Sequence, residues 1–450
     1  MLPFEDSRRL TGGNLYFASP GAVLEVIGVA VDDGLIADWR ARVERATTLL
    51  HWKRRDSVAR RHAGGVALAI AAPVAQLWLA TEINEWALCA ALFERDPVRW
   101  HSLEGLLISQ AVQAAESTAA GDPPVLEKSA ALARFARLSA LESRPALRAL
   151  LEAAAARGLP HVIDDTDLTL GAGTGAKTFS LQALPSVGDV AWQALHDIPT
   201  VIVTGSNGKT TTVRLLAACA RAQGWHAAYN CTDGVYLDAD VLASGDYSGP
   251  AGARMVLREP RAQAAILETA RGGILRRGIA MSRAHAAIVT NVSPDHFGEY
   301  GIHDLTGLAD VKMSVAGAVG PDGLLVLNAD DPLLRQQATQ LRQRFGRVPP
   351  LGWFSAAADG DALKKIAAAG ASTCGPHQGR LRLTHKEQQF DLGAVADLPL
   401  SMGGLAAYNI GNLAAAALGA IALRIEPAIV AGSILKAMAP SAAAARLPML

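Results

Sequence analysis

The chain has 450 residues, of which 50% are hydrophobic, and its 42 basic side chains balance 42 acidic ones. This length predicts about two to three domains with an ample core, and the moderate charge excludes a disordered chain. Because there is no basic excess, neither nucleic acid nor an acidic membrane is expected as a partner. Four widely spaced cysteines favour reduced thiols in the cytosol and argue against a cysteine-rich zinc site: Cys89, Cys219, Cys231 and Cys374.

Residues 1–160 mix strand-like and helical pieces, with helical spacing over 40–50 and 126–157, and we expect an α+β domain. The chain begins without the apolar core of a signal peptide, which predicts a cytoplasmic protein. Residues 63–80 carry no charge, but glycines, a proline and a glutamine interrupt them. A buried strand followed by a helix is therefore favoured over a membrane span. No catalytic constellation is evident here, so acceptor binding and homo-oligomerisation both stay open as roles.

Residues 161–199 are interpreted as a linker that contains two ambiguous motifs. Residues 171–178, Gly-Ala-Gly-Thr-Gly-Ala-Lys-Thr, imitate a phosphate loop, but Ala176 replaces the glycine before the lysine and no helical pattern follows. A strand and linker are favoured there. A small acidic cluster after a strand-like segment indicates either a metal site or, as favoured, a solvated turn: Asp164, Asp165 and Asp167.

The most informative segment is residues 200–212, Thr-Val-Ile-Val-Thr-Gly-Ser-Asn-Gly-Lys-Thr-Thr-Thr. A β-branched apolar strand runs into glycines, a lysine and hydroxyl side chains before a helical pattern, which is the layout of a phosphate-binding loop. Backbone N–H groups and the helix N-terminus attract phosphate, and the lysine adds a full charge. A threonine hydroxyl offers an oxygen to Mg²⁺. A nucleoside triphosphate and Mg²⁺ are the predicted ligands, held by the loop residues Gly205, Ser206, Asn207, Gly208, Lys209, Thr210 and Thr211.

Short apolar strands alternate with helices from residue 200 to about residue 351. This α/β alternation predicts a mostly parallel sheet with helices on both faces, and ligands then lie beyond the carboxyl ends of the strands. Antiparallel strands and two alanine-rich helices complete a central domain at residues 200–440. The expected strands are 201–203, 264–267, 286–290, 324–327, 380–384 and 390–400. The expected helices are 210–223, 304–319, 332–345, 409–423 and 427–438.

Further polar residues follow the predicted strands of this sheet. Glu268 ends a buried strand, where a carboxylate beside a phosphate loop is a natural Mg²⁺ ligand; pairing with Arg271 is the alternative. His296 follows the next strand and is favoured as a metal ligand over a structural histidine. Lys312, in the helix beyond, is by itself an ordinary exposed lysine. The polar residues at the end of another strand are expected to cap the next helix, to contact nucleotide, or to do both: Asn328, Asp330 and Asp331.

The order of these motifs resembles the Mur ligase superfamily over residues 170–440. Besides the phosphate loop, the resemblance rests on segments 267–273, 290–296, 311–312, 328–332 and 408–412. Residues 232–234 and 245–250 add a closer similarity to the ligase module of the cyanophycin synthetase family. The resemblance implies an ATP-dependent ligase that joins a carboxylate to an amine through an acyl phosphate. Its partners would be a small-molecule or peptide acceptor and an amine substrate.

The resemblance also implies a role for each matching residue. Lys209 would bind the β- and γ-phosphates, while Thr210 and Glu268 would hold a first Mg²⁺. His296 would hold a second, and Lys312 matches the lysine that many of these ligases carbamylate to make a metal ligand. The residues implied in nucleotide contact are Asn291 near the γ-phosphate and, around the adenine, Asn328, Asp330, Asn409 and Asn412. Tyr408 stands where the superfamily usually has a histidine.

Two departures from the superfamily pattern leave an alternative open. The linker is too short for the ATP-grasp module of cyanophycin synthetases. Residues 441–450 form a tail where a third, Rossmann-like domain is expected, so we expect either a truncated chain or an incomplete amine site. The alternative function is a catalytically weak ATP-binding scaffold that acts through partners. A phosphate-loop kinase or ATPase is disfavoured by Glu268, His296 and Lys312 in that order.

Overall fold

The computed structural model describes residues 2–103, 128–294, 297–357 and 361–436. Within these ranges, none of the helices combines the length and apolarity that a membrane crossing requires. The uncharged residues 63–80 instead form a buried strand and the start of a helix, as the sequence predicted.

The N-terminal part is an antiparallel sheet of order β1-β2-β4-β3 that packs against helices through buried aromatic side chains such as Trp39, Trp86 and Phe135. The helix expected over 126–157 is two helices where described, because Pro145 forces Arg144 into an extended conformation. The strands are β1 (Asp6–Leu10), β2 (Gly21–Ile27), β3 (Ser57–His62) and β4 (Gly65–Ala71). The helices are α1 (Asp33–Leu49), α2 (Leu77–Arg95), α3 (Lys128–Glu142) and α4 (Pro145–Ala156).

The segment interpreted as a linker contains a small antiparallel sheet of β5 (His161–Ile163), β6 (Asp167–Leu170) and β7 (Lys177–Ser180). The Asp164 carboxylate accepts the backbone N–H of Thr166 and of Asp167 and pairs with Arg258 at 2.6 Å, which confirms a turn. The glycines of residues 171–178 allow the backbone to pack closely against a neighbouring segment. A Cβ on Gly173 would lie 2.2 Å from the carbonyl oxygen of Ala262, and the next regular element is β7.

The central part is a sheet of eleven described strands in the order β11-β10-β9-β12-β8-β13-β14-β15-β16-β17-β18. It is parallel from β9 to β16 and antiparallel at both margins, which confirms the predicted mixed α/β architecture. The strands are β8 (Thr200–Thr204), β9 (Ala227–Cys231), β10 (Gly234–Leu237), β11 (Asp240–Ser244), β12 (Ala264–Glu268), β13 (Ala284–Val289), β14 (Val319–Asn328), β15 (Leu351–Phe354), β16 (Ser372–His377), β17 (Arg380–His385) and β18 (Gln388–Ala394).

Helices cover both faces of this sheet in two separate apolar cores, with α5, α11 and α12 on one face and α6 to α9 on the other. The helix expected over 304–319 ends at Met313 and continues as a 3₁₀ turn, and the strand expected over 390–400 ends at Ala394. The helices are α5 (Lys209–Ala222), α6 (Pro250–Arg258), α7 (Arg271–Arg277), α8 (Leu305–Met313), α9 (Pro332–Phe345), α10 (Asp361–Ala368), α11 (Ala407–Ala422) and α12 (Pro427–Lys436).

Candidate nucleotide and metal site

The loop between β8 and α5 has the tight backbone that the sequence predicts. Gly205 adopts φ 144° and Gly208 φ 81°, a region that L side chains rarely occupy. A Cβ on Gly205 would lie 1.8 Å from the Thr290 hydroxyl, and one on Gly208 would lie 2.2 Å from Oδ1 of Asn412. Both positions therefore require glycine, and the loop closes into a cradle at the N-terminus of α5, where backbone N–H groups attract anions.

The ammonium group of Lys209 lies over this cradle. Its Nζ donates to the carbonyl oxygens of Gly205 at 3.1 Å and Ser206 at 3.0 Å. The lysine thus places a full positive charge on the loop whose shape fits a phosphate chain.

Glu268 and Thr210 meet beside the cradle. Strand β12 pairs directly with β8, so its last residue, Glu268, lies next to the start of α5. The Thr210 hydroxyl donates to Glu268 Oε2 at 2.8 Å, while the alternative partner, Arg271, pairs with Glu299 at 2.7 Å. Glu268 is fully buried, and among the described residues its Oε1 has no hydrogen-bond partner. A buried carboxylate oxygen of this kind, beside a hydroxyl, fits a divalent cation.

Burial is the main reason that the pKa of Glu268 is raised above its ordinary value. The hydrogen bond from Thr210 and the charge of Lys209 oppose this rise, whereas Asp246 and Asp233 add to it. The site is therefore rich in negative charge and stabilises a cation more readily than an additional carboxylate.

The structure adds residues to which the sequence assigned no role. The Thr232 hydroxyl, just after β9, lies 3.3 Å from the Thr210 hydroxyl. Asn230, fully buried at the end of β9, donates to the carbonyl oxygens of Glu268 at 2.8 Å and Tyr247 at 2.7 Å, and so fixes the end of β12. No signal in the sequence pointed to either contact, because both depend on the order of the strands in the sheet.

Asn291 holds the phosphate loop through its side chain. Its Oδ1 accepts the backbone N–H of Asn207 at 3.0 Å, and its Nδ2 donates to the Asn207 carbonyl oxygen at 3.1 Å. The hydroxyls of Ser206 and Thr290 add bonds between the same two segments. Asn291 therefore lies at the cradle, and two of its side-chain bonds shape the phosphate loop.

The remaining predicted residues lie at successive strand ends or on neighbouring helices. His296 lies outside the described residues, and Lys312 is fully buried on α8. Asn328 donates to the Thr290 carbonyl oxygen at 3.0 Å, and both oxygens of the Asp330 carboxylate accept bonds from residues 355–356.

Asp331 caps α9 through the N–H groups of Leu333 and Leu334, which confirms the capping interpretation for this residue. In the first turns of α11, Asn412 contacts the phosphate loop, whereas Asn409 donates to the Leu400 carbonyl oxygen at 2.8 Å. Asn412 is 6% exposed and packs against Gly208, and its Nδ2 lies 3.5 Å from Oδ1 of Asn409.

About half of the chain is similar to known proteins. Residues 203–420 match the Mur ligase middle domain, so this part of the chain is similar to that domain. The chain is 37% identical over 229 residues to cyanophycin synthetase from Crocosphaera subtropica, covering 51% of this chain and 26% of that protein. It is 34% identical over 147 residues to UDP-N-acetylmuramoylalanine–D-glutamate ligase from Chlorobium luteolum, covering 33% of this chain and 29% of that protein.

A solved UDP-N-acetylmuramoyl-L-alanyl-D-glutamate–2,6-diaminopimelate ligase is similar with 19% identity and a TM-score of 0.40, covering 54% of this chain and 47% of that one. The matched part of the chain spans about a quarter of the length of the cyanophycin synthetases to which it is similar.

Proposed function

We propose that this chain contains the nucleotide-binding part of an ATP-dependent carboxylate–amine ligase, which forms an amide or isopeptide bond. The observation that carries the proposal is the Thr210–Glu268 pair, whose open carboxylate oxygen lies beside the Lys209 cradle. The match to the Mur ligase middle domain and the relatives named as synthetase and ligases support the reaction class.

In this reaction the acceptor carboxylate attacks the γ-phosphorus of ATP, and the bond from phosphorus to the ADP oxygen breaks. The amine nitrogen then attacks the carbonyl carbon of the acyl phosphate, inorganic phosphate leaves, and the nitrogen loses a proton. Lys209 and the loop N–H groups neutralise the charge of the phosphates. Thr210 and Glu268 would hold Mg²⁺, which supplies charge neutralisation at the transferring phosphoryl group when bound.

The names of the relatives and the bond type support a substrate class. We propose an amino acid or an acidic peptide as the acceptor and an amino acid as the amine. His296 and Lys312 are proposed to contribute to a second cation site, as the resemblance implies. Asn409 and Asn412 are proposed to contact the adenine, because their helix lies against the phosphate loop.

Positional isotope exchange tests the first half of the reaction without an amine. ATP labelled with ¹⁸O in the β–γ bridge is incubated with Mg²⁺ and one candidate acceptor at a time. Acceptor-dependent movement of the label to a non-bridging β-oxygen supports acyl phosphate formation. ADP release that then requires an amine supports the ligase. ADP release without acceptor or amine would indicate an ATPase, and ATP binding without either reaction would favour a nucleotide-binding scaffold.

A further inference from the structure

Two segments that border the candidate site lie directly against the N-terminal sheet. Helix α7 follows β12 and Glu268, and residues 297–303 lie between β13 and α8, the helix that carries Lys312. The two segments also contact each other, since Arg271 pairs with Glu299 at 2.7 Å and the Arg276 Nε donates to the Tyr300 hydroxyl at 2.8 Å.

Arg8, on β1, contacts both segments at once. Its Nε donates to the Leu275 carbonyl oxygen of α7 at 2.9 Å, and its guanidinium carbon lies 4.3 Å from the centre of the Tyr300 ring. The same guanidinium pairs with Glu25 on β2 at 2.7 Å, and both side chains are almost completely buried. Because a buried guanidinium and carboxylate are both costly to leave unpaired, this arrangement is held in one geometry.

Strand β3, at the opposite edge of the same sheet, contacts residues 297–303, which we call the clamp loop. Arg60 donates to the Gly301 carbonyl oxygen at 3.0 Å. The His62 ring stacks on His303 with ring centres 5.6 Å apart, and its Nε2 lies 3.3 Å from Glu25 Oε2. Gly301 adopts φ 69°, and a Cβ there would lie 2.5 Å from the His62 ring, so the loop backbone fits this surface closely.

We infer that the N-terminal domain is a positioning element for the ligase site. Its interdomain clamp, which consists of Arg8, Glu25, Arg60 and His62, holds α7 and residues 297–303 in register with the phosphate loop. Within the described ranges, none of the four makes a hydrogen bond or ion pair with Lys209, Thr210 or Glu268, so the clamp acts through backbone order. The N-terminal domain would thereby influence the rate of the reaction, and this effect on the rate rests on the proposed function.

Adjacent arginines on β3 provide a matched pair of variants. Arg60 donates to the loop, whereas Arg61 pairs with the exposed Asp33. Arg60→Met removes a loop hydrogen bond without leaving a buried carboxylate, and Arg61→Met removes a surface pair of little energetic weight. A second variant, Arg8→Gln combined with Glu25→Gln, replaces the buried ion pair by a neutral hydrogen-bonding pair. The other carboxylate that pairs with Arg8, Asp6, is partly exposed to solvent, so no buried charge loses its partner.

The primary readout is backbone hydrogen exchange in residues 271–277 and 297–303 of the full chain, because it requires no turnover. We expect Arg60→Met and the double variant to increase exchange in residues 297–303 by about tenfold, and Arg61→Met to leave it within about twofold of wild type. Unchanged exchange in both clamp variants, or an equal increase throughout the chain, would overturn the inference.

The kinetic readout separates positioning from general destabilisation. In acceptor-dependent isotope exchange, the clamp variants should lose about tenfold in kcat, with the KM for ATP within about twofold of wild type. An unchanged kcat in a variant with faster hydrogen exchange in residues 297–303 would overturn the positioning role. If the wild-type protein shows no acceptor-dependent isotope exchange in ATP, that result counts against the proposed function. The hydrogen-exchange comparison would still decide whether the clamp orders residues 297–303.

Discussion

The hydroxyl of Thr210 donates a 2.8 Å hydrogen bond to Oε2 of Glu268, and this contact joins the phosphate loop to the end of the neighbouring strand. The other carboxylate oxygen is buried and has no hydrogen-bond partner among the described residues. The pair therefore combines the hydroxyl and carboxylate oxygens that Mg²⁺ prefers with a position beside the phosphate cradle. The proposed chemistry depends on this relationship.

The buried carboxylate of Glu268 should lower the stability of the folded protein when no metal or nucleotide is bound. Its pKa is raised in the folded protein mainly by burial, so folding favours the protonated form. The associated stability is fully present at low pH and is lost as the pH rises through the folded pKa. We expect Glu268→Gln, measured without metal or nucleotide, to raise the Tm by about 2–4 °C at pH 8 and by less at pH 5. The same variant should lose Mg²⁺-dependent turnover.

Differential scanning calorimetry at the two pH values measures this effect. Thr210→Val is the comparison variant, because it removes the hydrogen bond that partly offsets the burial of Glu268. It should lower the Tm, and lower it more at pH 8 than at pH 5. A Glu268→Gln protein that is less stable than wild type at both pH values would contradict the account of an uncompensated buried carboxylate.

Lys209 should be essential for nucleotide binding. Lys209→Ala removes the charge over the cradle, and we expect the affinity for ATP to fall by about 100-fold or more, since a charge-assisted contact to phosphate is lost. Lys177→Ala is the matched control, because this exposed lysine follows the other glycine-rich segment but begins strand β7 instead of a helix. Fluorescence titration with a labelled ATP analogue measures both, and equal affinities for the two variants would contradict the assignment of the loop.

Gly208→Ala should distort the phosphate loop, because the new Cβ would lie 2.2 Å from Asn412 Oδ1 and the backbone φ is 81°. We expect a loss of stability of about 1–3 kcal/mol and at least a tenfold loss of ATP affinity. Gly432→Ala, in helix α12, meets no atom within 4 Å and should be neutral or slightly stabilising. Chemical denaturation and ATP titration of both variants provide the test, and a fully active Gly208→Ala protein would be the contrary result.

Lys312 should carry a carbamate if it serves the second cation site. The side chain is fully buried on α8, where a lysine is readily altered in its protonation and reactivity. Intact-protein mass spectrometry at high bicarbonate should show an added mass of one CO₂ that disappears in Lys312→Arg. An unmodified wild-type protein under these conditions would remove Lys312 from the proposed cation site.

The phosphate loop and its neighbouring strand ends were predictable because they depend on local sequence. Glycines, a lysine and hydroxyls between an apolar strand and a helix define the cradle at residues 205–212. Glu268 was predictable as a partner because it ends a buried strand of a parallel sheet, whose carboxyl ends share one edge. The observed order β12-β8-β13 then brings Glu268 and Asn291 to opposite sides of the loop.

Contacts between distant segments were not predictable from the sequence. The two bonds of Asn291 to the Asn207 backbone and the position of Thr232 beside Thr210 depend on strand order and loop register. The contact of Arg8 with Leu275 joins residues 267 positions apart, and no local pattern in β1 signals it. Helix α8 ends at Met313, earlier than the sequence predicted. The next residues include serine, valine and glycine, whose helix propensities are low, and they form a 3₁₀ turn.

The most direct test of the central claim is a calorimetric titration of ATP into wild-type and Glu268→Gln protein, each with and without Mg²⁺. If Thr210 and Glu268 hold the cation beside the triphosphate, Mg²⁺ should increase the ATP affinity of the wild type by about tenfold or more. In Glu268→Gln this gain should be absent, while binding of metal-free ATP is preserved or improved because a nearby negative charge has been removed. An equal Mg²⁺-dependent gain in both proteins would contradict the account.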